Sequence, residues 1–444
     1  MYRRFGFLFC ALIFLAGCSD GLWLGSEKKL DLKGERVPVI RHDTDLVVDK
    51  KTSLSQANIP QPVRNTGWYK SSGITSSKVF NLHLETKLEK KPLFSIGSGS
   101  DFLIGSSPIM HGNNVVALGA DGIIKSYDLA QDKIKWINDD FPTSAKKGFF
   151  DILNSSYLSG GLSYSDNVIY ATSGAGSIMA LDSSNGQAIW AIKLSSPSRA
   201  TPLKTNKDII IVQASDNKTF ALNSKNGQII WTHIGISEEI SSLRTSAPVA
   251  NKDTVIIQYS SGEIYCLSID NGDEIWSESL TSPLETIVTD SHLHTVITSP
   301  AIDEKYVYAY GHDGMVGVFN IDTGSTLWKK QLGVDHQFWI CGDLIVGITN
   351  TSKLIGINKQ DGKIRWIQEL ASIAPNKETI EWTSPVVANS NAIIANSNGE
   401  MFFFSLVDGA IINKIAIPND VYLSPVIANG EMVILSNDGQ VNMY

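Results

Sequence analysis

From about residue 79 to its end, the chain alternates short apolar runs, such as Val433-Ile434-Leu435, with turn signals, such as Asn437-Asp438-Gly439. No long apolar period of 3.6 residues accompanies them, so the pattern predicts strands joined by tight turns. The runs fall into units. Each clear unit places an apolar run, a short triplet, a Gly turn and a Trp four residues after the Gly. Ala180-Leu181-Asp182 leads to Gly186 and Trp190, Ala221-Leu222-Asn223 to Gly227 and Trp231, and Cys266-Leu267-Ser268 to Gly272 and Trp276. Val318-Phe319-Asn320 leads to Gly324 and Trp328, and Gly356-Ile357-Asn358 to Gly362 and Trp366. Two weaker copies bracket these. Ser126-Tyr127-Asp128 has Asp132 in the Gly place before Trp136, and Phe404-Ser405-Leu406 leads to Gly409 with Asn413 where Trp would stand.

Six of the ten tryptophans therefore share one position, at separations of 54, 41, 45, 52 and 38 residues. A repeat of roughly 40–50 residues made of strands and turns is the mark of propeller blades. Most units open with a small residue and proline, as in Ser107-Pro108, Thr201-Pro202, Ala247-Pro248, Ser299-Pro300, Ser384-Pro385 and Ser424-Pro425. The units near Gly160-Gly161 and Phe338-Trp339 lack the proline. The eighth unit stops at Tyr444, before its outer strand, while Lys91-Pro92-Leu93-Phe94-Ser95-Ile96 resembles the missing strand, with Phe94 in the Trp place. Pairing the two ends closes a ring and removes exposed sheet edges. The expected fold is all-β: an eight-bladed β-propeller of four-stranded antiparallel blades over 79–444, closed by an N-terminal strand, with seven blades as the fallback count.

Composition adds limits. The 444 residues are 43% apolar and 18% charged, enough for a sizeable core. The formal charge is −8, and −10 without residues 1–17, which carry Arg3, Arg4 and no acid. No block rich in Lys and Arg stands out, which argues against nucleic acid as a partner.

The first residues read as an address. Two arginines precede the apolar stretch from Phe5 to Ala16, as in a signal peptide spanning 1–17. Leu15-Ala16-Gly17-Cys18 looks like a bacterial lipobox, so the mature chain is expected to begin at lipidated Cys18. Several acyl chains on one residue supply stable membrane attachment. Ser19 rather than Asp follows the Cys, which by the enteric sorting rule directs the protein to the outer membrane, on its periplasmic face. Residues 18–78 lack steady alternation and carry Glu27-Lys28-Lys29, Pro38, Pro60, Pro62 and a Ser-rich patch, and are expected to form an extended tether. Within it, Val37-Pro38-Val39-Ile40 is able to dock locally.

The Asp/Asn…Gly…Trp repeat resembles the quinoprotein-type propeller family over about 79–444. Lipobox, length and tether together make the chain similar to the lipoproteins of the outer-membrane β-barrel assembly (BAM) machine. That resemblance implies a non-catalytic scaffold, without cofactor, that binds the periplasmic POTRA domains of BamA and aids the folding and insertion of outer-membrane proteins. It also implies a monomer within a hetero-oligomeric complex. Ser242-Leu243-Arg244-Thr245-Ser246-Ala247-Pro248 resembles the family's Leu-Arg inter-blade contact loop, which makes Leu243 and Arg244 the candidate partner-binding residues. An apolar knob beside a planar donor fork suits such a contact; the plain alternative is a strand start and a surface cap. The family's second contact loop carries an acidic pair, whereas Thr295 and Ile297 stand there, with Asp290 displaced.

Other chemistry is weaker. A quinone (PQQ)-dependent dehydrogenase on the same propeller calls for acidic calcium ligands and often adjacent cysteines, but Cys10, Cys18, Cys266 and Cys341 include no adjacent pair. An unrelated periplasmic lipoprotein adaptor is the other alternative. Asp290, His292 and His294 lack a firm third metal ligand, and Gly311-His312-Asp313-Gly314 reads as a turn. No Walker loop, Gly-x-Ser-x-Gly elbow or His-Glu-x-x-His is present. Cys266 and Cys341 fall in non-adjacent blades and are expected as buried free thiols.

Overall fold

Turn chemistry sets the outer half of blades one to seven. Gly186, Gly227, Gly272, Gly324, Gly362 and Gly409 all have φ between 66° and 77°, a left-handed conformation that costs a side-chain-bearing residue energy. Asp132 takes the same role in the first unit at φ 53°, within the tolerance of Asp for this region. The polar residue four places earlier builds the corner. Asp182 Oδ1 accepts from Ser184 N (2.7 Å), and Asn223 Oδ1 from Lys225 N (2.9 Å). These are the side-chain turns that make Asp and Asn recur here.

The computed structural model describes residues 46–73, 81–97, 105–140, 160–237, 245–280, 298–311, 314–374 and 380–444. Their strands form eight antiparallel sheets, one per expected unit. Blade four is representative: Val249–Asn251, Thr254–Gln258, Glu263–Ser268 and Glu274–Ser279, from axis to rim. The first strands of several successive blades touch one another around the axis, as in blades one and two, two and three, four and five, and eight and one. The middle strands carry the core, as in Ile209–Gln213, buried throughout, whereas outer strands such as Glu274–Ser279 bury chiefly their Trp.

The repeat tryptophans join blade to blade. Each indole N–H donates to a carbonyl of the next blade: Trp136 to Ser183 (3.0 Å), Trp190 to Ser224 (2.8 Å), Trp231 to Ile269 (2.9 Å). Trp276 donates to Ile321 (2.9 Å), Trp328 to Lys359 (3.0 Å) and Trp366 to Leu406 (2.9 Å). The same rings lie against the turn glycines of the following blade. A Cβ on Gly272 would stand 2.8 Å from the Trp231 ring, and one on Gly186 2.4 Å from that of Trp136. Gly is thus required twice, for φ and for room. The series corrects one alignment. Trp366 reaches Leu406 O, and Phe403 pairs with Asn413 as Ala221 pairs with Trp231. The seventh triplet is therefore Phe403-Phe404-Ser405, one residue earlier than the hydrophobic pattern suggested, because three consecutive phenylalanines hide its register.

Closure follows the expectation. The strand Lys91–Ser95 pairs antiparallel with Gln440–Met443, completing blade eight, and Phe94 stacks on Tyr127 of blade one at 5.3 Å. Blade two lacks its opening proline because Gly160-Gly161 passes too close to other backbone; a Cβ on Gly161 would sit 2.4 Å from Thr201 Cα. Cys266 and Cys341 are buried free thiols, in blades four and six. Burial pushes them up to about 11 and about 12.

Residues 46–73 differ from an extended tether. A short helix, Lys50–Leu54, capped by Asp49 Oδ1 on Thr52 N (2.8 Å), packs on the outer strand Ile364–Glu369 of blade six. Asn58 and Asp343 exchange bonds of 3.1 Å, and Asn65 Nδ2 reaches Ile427 O (2.8 Å). Gly67–Trp68 then pairs with Met110 and His111 as a fifth, innermost strand of blade one. Lys70 bridges to Ser163 of blade two, and Ser71 Oγ meets Thr201 Oγ1 of blade three at 2.7 Å. Trp68 is 3% exposed and stacks on Trp339 at 6.1 Å. The arm has no apolar period because it docks mainly through its backbone and single side chains. An eight-bladed ring has a channel at its axis, and this segment enters it. Residues 19–45, including Val37–Ile40, lie outside the described residues, as does Cys18.

The arm also shapes a pH response. His111 is buried against Tyr164 (ring centroids 3.9 Å), and desolvation, with repulsion from Lys135, pulls it down to about 4. The unfolded chain takes up this proton near pH 6.5, the native state only near 4. Native stability is therefore full above pH 6.5 and falls by about 3 kcal/mol between 6.5 and 4. Denaturant titrations across that range should show the loss and should show it reduced in His111→Phe; parallel curves for the two proteins would contradict the assignment.

Candidate partner surface

Antiparallel alternation sorts the connections onto two faces. Turns between first and second strands, and between third and fourth, lie on one face. Turns between second and third strands lie on the other, together with the crossings to the next blade. Leu243 and Arg244 belong to the crossing from blade three to blade four, and Asp290, His292, His294, Thr295 and Ile297 to the next crossing. All of them lie outside the described residues, as do His312 and Asp313. The roots of the first crossing are described.

That crossing leaves the outer strand Ile229–Ile234 and is fastened at once to Asn217 of its own blade and to Glu263 of blade four. Gly235 N donates to Asn217 O, and Asn217 Nδ2 donates back to Ile236 O, both at 2.9 Å. Asn217 Oδ1 accepts from Ser260 Oγ (2.9 Å), and Ile236 N donates to Glu263 Oε2 (3.2 Å). Below them His233 Nδ1 meets Tyr259 OH at 2.8 Å, and Tyr265 OH donates to Glu263 Oε1 at 3.1 Å. Burial pulls the His233 imidazole below its ordinary value, against the opposing pull of Glu274 and Glu263. Burial, with the Glu263 carboxylate, pushes Tyr265 up to about 12. At the far root Ala247 N donates to Ser299 Oγ at 2.8 Å. Both ends of the crossing are thus held by neighbouring blades, which positions the loop between them.

Most outer strands expose one or two aliphatic side chains beside the repeat Trp place, such as Ile189, Ile275 and Ile411-Ile412, and the strand feeding this loop, with its continuation, exposes four. Ile229, Ile230, Ile234 and Ile236 are 46–63% exposed, where an outer strand facing water would ordinarily carry polar side chains. Exposed aliphatic residues grouped on a fixed edge favour association by burial. The repeat pattern alone does not single them out. The available signal was the run Ile229-Ile230 and the alternation Ile234-Gly235-Ile236, both at positions the repeat leaves to solvent. The repeat tryptophans, by contrast, are held between blades. Among the described residues no group of three or more His, Cys, Asp or Glu is placed to hold a metal ion, and no helix is long and apolar enough to cross a membrane.

Comparison with known proteins agrees with the repeat. The family model described as outer membrane protein assembly factor BamB matches residues 120–368, more than half of the chain. A curated relative, outer membrane protein assembly factor BamB of Yersinia pestis, is 24% identical over 352 residues, covering 79% of this chain and 87% of the relative. The crystal structure of BamB from Moraxella catarrhalis superposes with a TM-score of 0.66 at 20% identity, covering 80% of this chain and 99% of that one. A europium-containing methanol dehydrogenase also superposes, with a TM-score of 0.63 at 13% identity, over 88% of this chain and 90% of the other. The structural matches establish the propeller fold, which enzymes and non-enzymes share. With the family model covering the core of the ring, the chain belongs to the BamB family of outer membrane protein assembly factors.

Proposed function

We propose that this protein is a non-catalytic scaffold lipoprotein of the outer-membrane β-barrel assembly complex, anchored at Cys18 on the periplasmic face of the outer membrane. In this reading it binds the periplasmic POTRA domains of BamA through the crossing that carries Leu243 and Arg244. The supporting observation is the family match across blades one to six, on a chain that spans most of the length of its curated relative. The crossing's fastened roots and the exposed isoleucines beside it fit a contact surface. The quinone-dehydrogenase reading rests on fold likeness at 13% identity, which carries no chemistry.

Affinity capture from envelope extracts tests the proposal. Wild-type bait should retain BamA, and Arg244→Glu should weaken retention roughly tenfold or more, because reversing a charge at a contact both removes a bond and adds repulsion. BamA absent from both captures would overturn the assignment; BamA retained equally by both would move the contact away from Arg244.

A further inference from the structure

The arm shows how the outer edge of a blade is covered. Val48 bridges in parallel to Ile364, the first residue of the blade-six outer strand, and Asp49 N donates to Ile364 O at 2.9 Å. Leu46 and Val48 pack into the same apolar cluster as Ile364 and Trp328, the ring that lies against Gly362 of this blade. Ile364 is left 5% exposed. Asp49 then caps the helix Lys50–Leu54, so the arm turns away after a single bridge.

Among the described residues nothing covers the equivalent edge of blade three. Leu222 pairs with Ile229 and Ala221 with Trp231, with the same bulge as in the pairing of Ile357 with Ile364 and Gly356 with Trp366. An identical register fixes the direction of each carbonyl, so Ile229 O faces outward as Ile364 O does. Yet Ile229 is 55% exposed. Trp190 lies against Gly227 as Trp328 lies against Gly362, and it is the one repeat Trp that is only half-buried. We propose that this edge of blade three accepts an extended segment of a partner protein with aliphatic side chains at alternate positions, added to Ile229 as the arm is added to Ile364.

Differences between the two edges define the occupant. In blade six Ile364 is followed by Arg365, whose guanidinium donates to Ser55 Oγ at 3.1 Å and to Ser55 O, so polar atoms of the arm cross there. Ile230 holds that place in blade three and offers apolar surface without a donor. Exposed Ile234 and Ile236 continue the row. An occupant thus meets aliphatic side chains along the whole strand. In strand addition of this kind main-chain bonds supply affinity and alternate side chains supply selectivity. Blade seven is the contrast. Ile411 and Ile412 are exposed in the same register, but Trp366, the ring against Gly409, is 4% exposed, which leaves an added side chain no indole face to cover.

The test uses the purified full chain and the fluorescein-labelled peptide Lys-Leu-Thr-Val-Thr-Leu-Lys. Anisotropy titration should show saturable binding. A peptide of the same composition with its aliphatic residues consecutive should bind about fivefold more weakly or worse, and so should one N-methylated at the residue after Val, the place of Asp49 N. The indole resonance of Trp190, assigned by its loss in Trp190→Phe, should shift as the first peptide is added. Ile229→Asp combined with Ile230→Asp should abolish binding at a nearly unchanged melting temperature, because both side chains face water, while Ile412→Asp should leave binding intact. No saturation, equal affinity for either altered peptide, or loss of binding in Ile412→Asp but not in the blade-three variant would overturn the proposal. Sedimentation of the chain alone should show a monomer; a dimer dissolved by the blade-three variant would assign the edge to a second copy and overturn it as well. Neither BamA nor a membrane enters these measurements, so their outcome is independent of the scaffold reading.

Discussion

Replacing Trp276 by Ala should lower the unfolding free energy by about 3–5 kcal/mol, among the larger effects available to a single substitution. The ring is 8% exposed, lies against Gly324 of blade five, and donates to Ile321 O at 2.9 Å. Truncation therefore leaves a cavity between two blades and strands a carbonyl. Trp276→Phe separates the two contributions: it keeps most of the packing and loses the N–H bond, and should cost about 1–2 kcal/mol. Asn413, at the equivalent place in blade seven, supplies an internal control. It is exposed on the outer strand Ile411–Ala416, and Asn413→Ala should change stability by less than about 0.5 kcal/mol. Urea titrations of the three variants decide the matter. A cost for Trp276→Ala no larger than that of Asn413→Ala would show that the blade interfaces do not depend on the indole.

Removing residues 440–444 should abolish cooperative folding. The strand Gln440–Met443 lies between Glu431–Leu435 and Lys91–Ser95, so its loss unpairs both neighbours and reduces blade eight to its first two strands. Tyr444 exchanges two further backbone bonds with Met432, at 2.7 and 3.1 Å. The ring would open at the seam where its two ends meet, exposing strand edges that template aggregation. The arm crosses the same seam independently, since Asn65 bonds to blade eight and Gly67–Trp68 to blade one. If that crossing were enough to hold the ring, the truncated chain would still melt in one sharp transition with an unchanged Stokes radius. We expect instead a broad transition and oligomers on size exclusion.

The two ring-closing devices differ in how far the sequence revealed them. Lys91–Ser95 keeps the strand pattern of the repeat, with Phe94 in the Trp place, so its pairing is legible in the sequence. The arm keeps no such pattern. Its two-residue strand is defined by the partner, His111 and Met110, and Trp68 finds its place only because Trp339 lies across the axis. The partner loop was legible in another sense: Leu243 and Arg244 were identified by resemblance, and both lie outside the described residues. The isoleucines at its root were visible as letters, but whether they face water or a neighbouring blade depends on the assembled ring.

By itself, the sequence determined the hairpin turns and the position of each interblade tryptophan, and it put the blade count at eight with seven as the fallback. These are local consequences of Gly in left-handed corners and of alternating apolar runs, repeated often enough to be counted. Tertiary structure alone decided what occupies the axis, which outer edge the arm covers, and which face carries the crossings. Each depends on residues far apart in the chain meeting in a closed ring, and no local pattern encodes such a meeting.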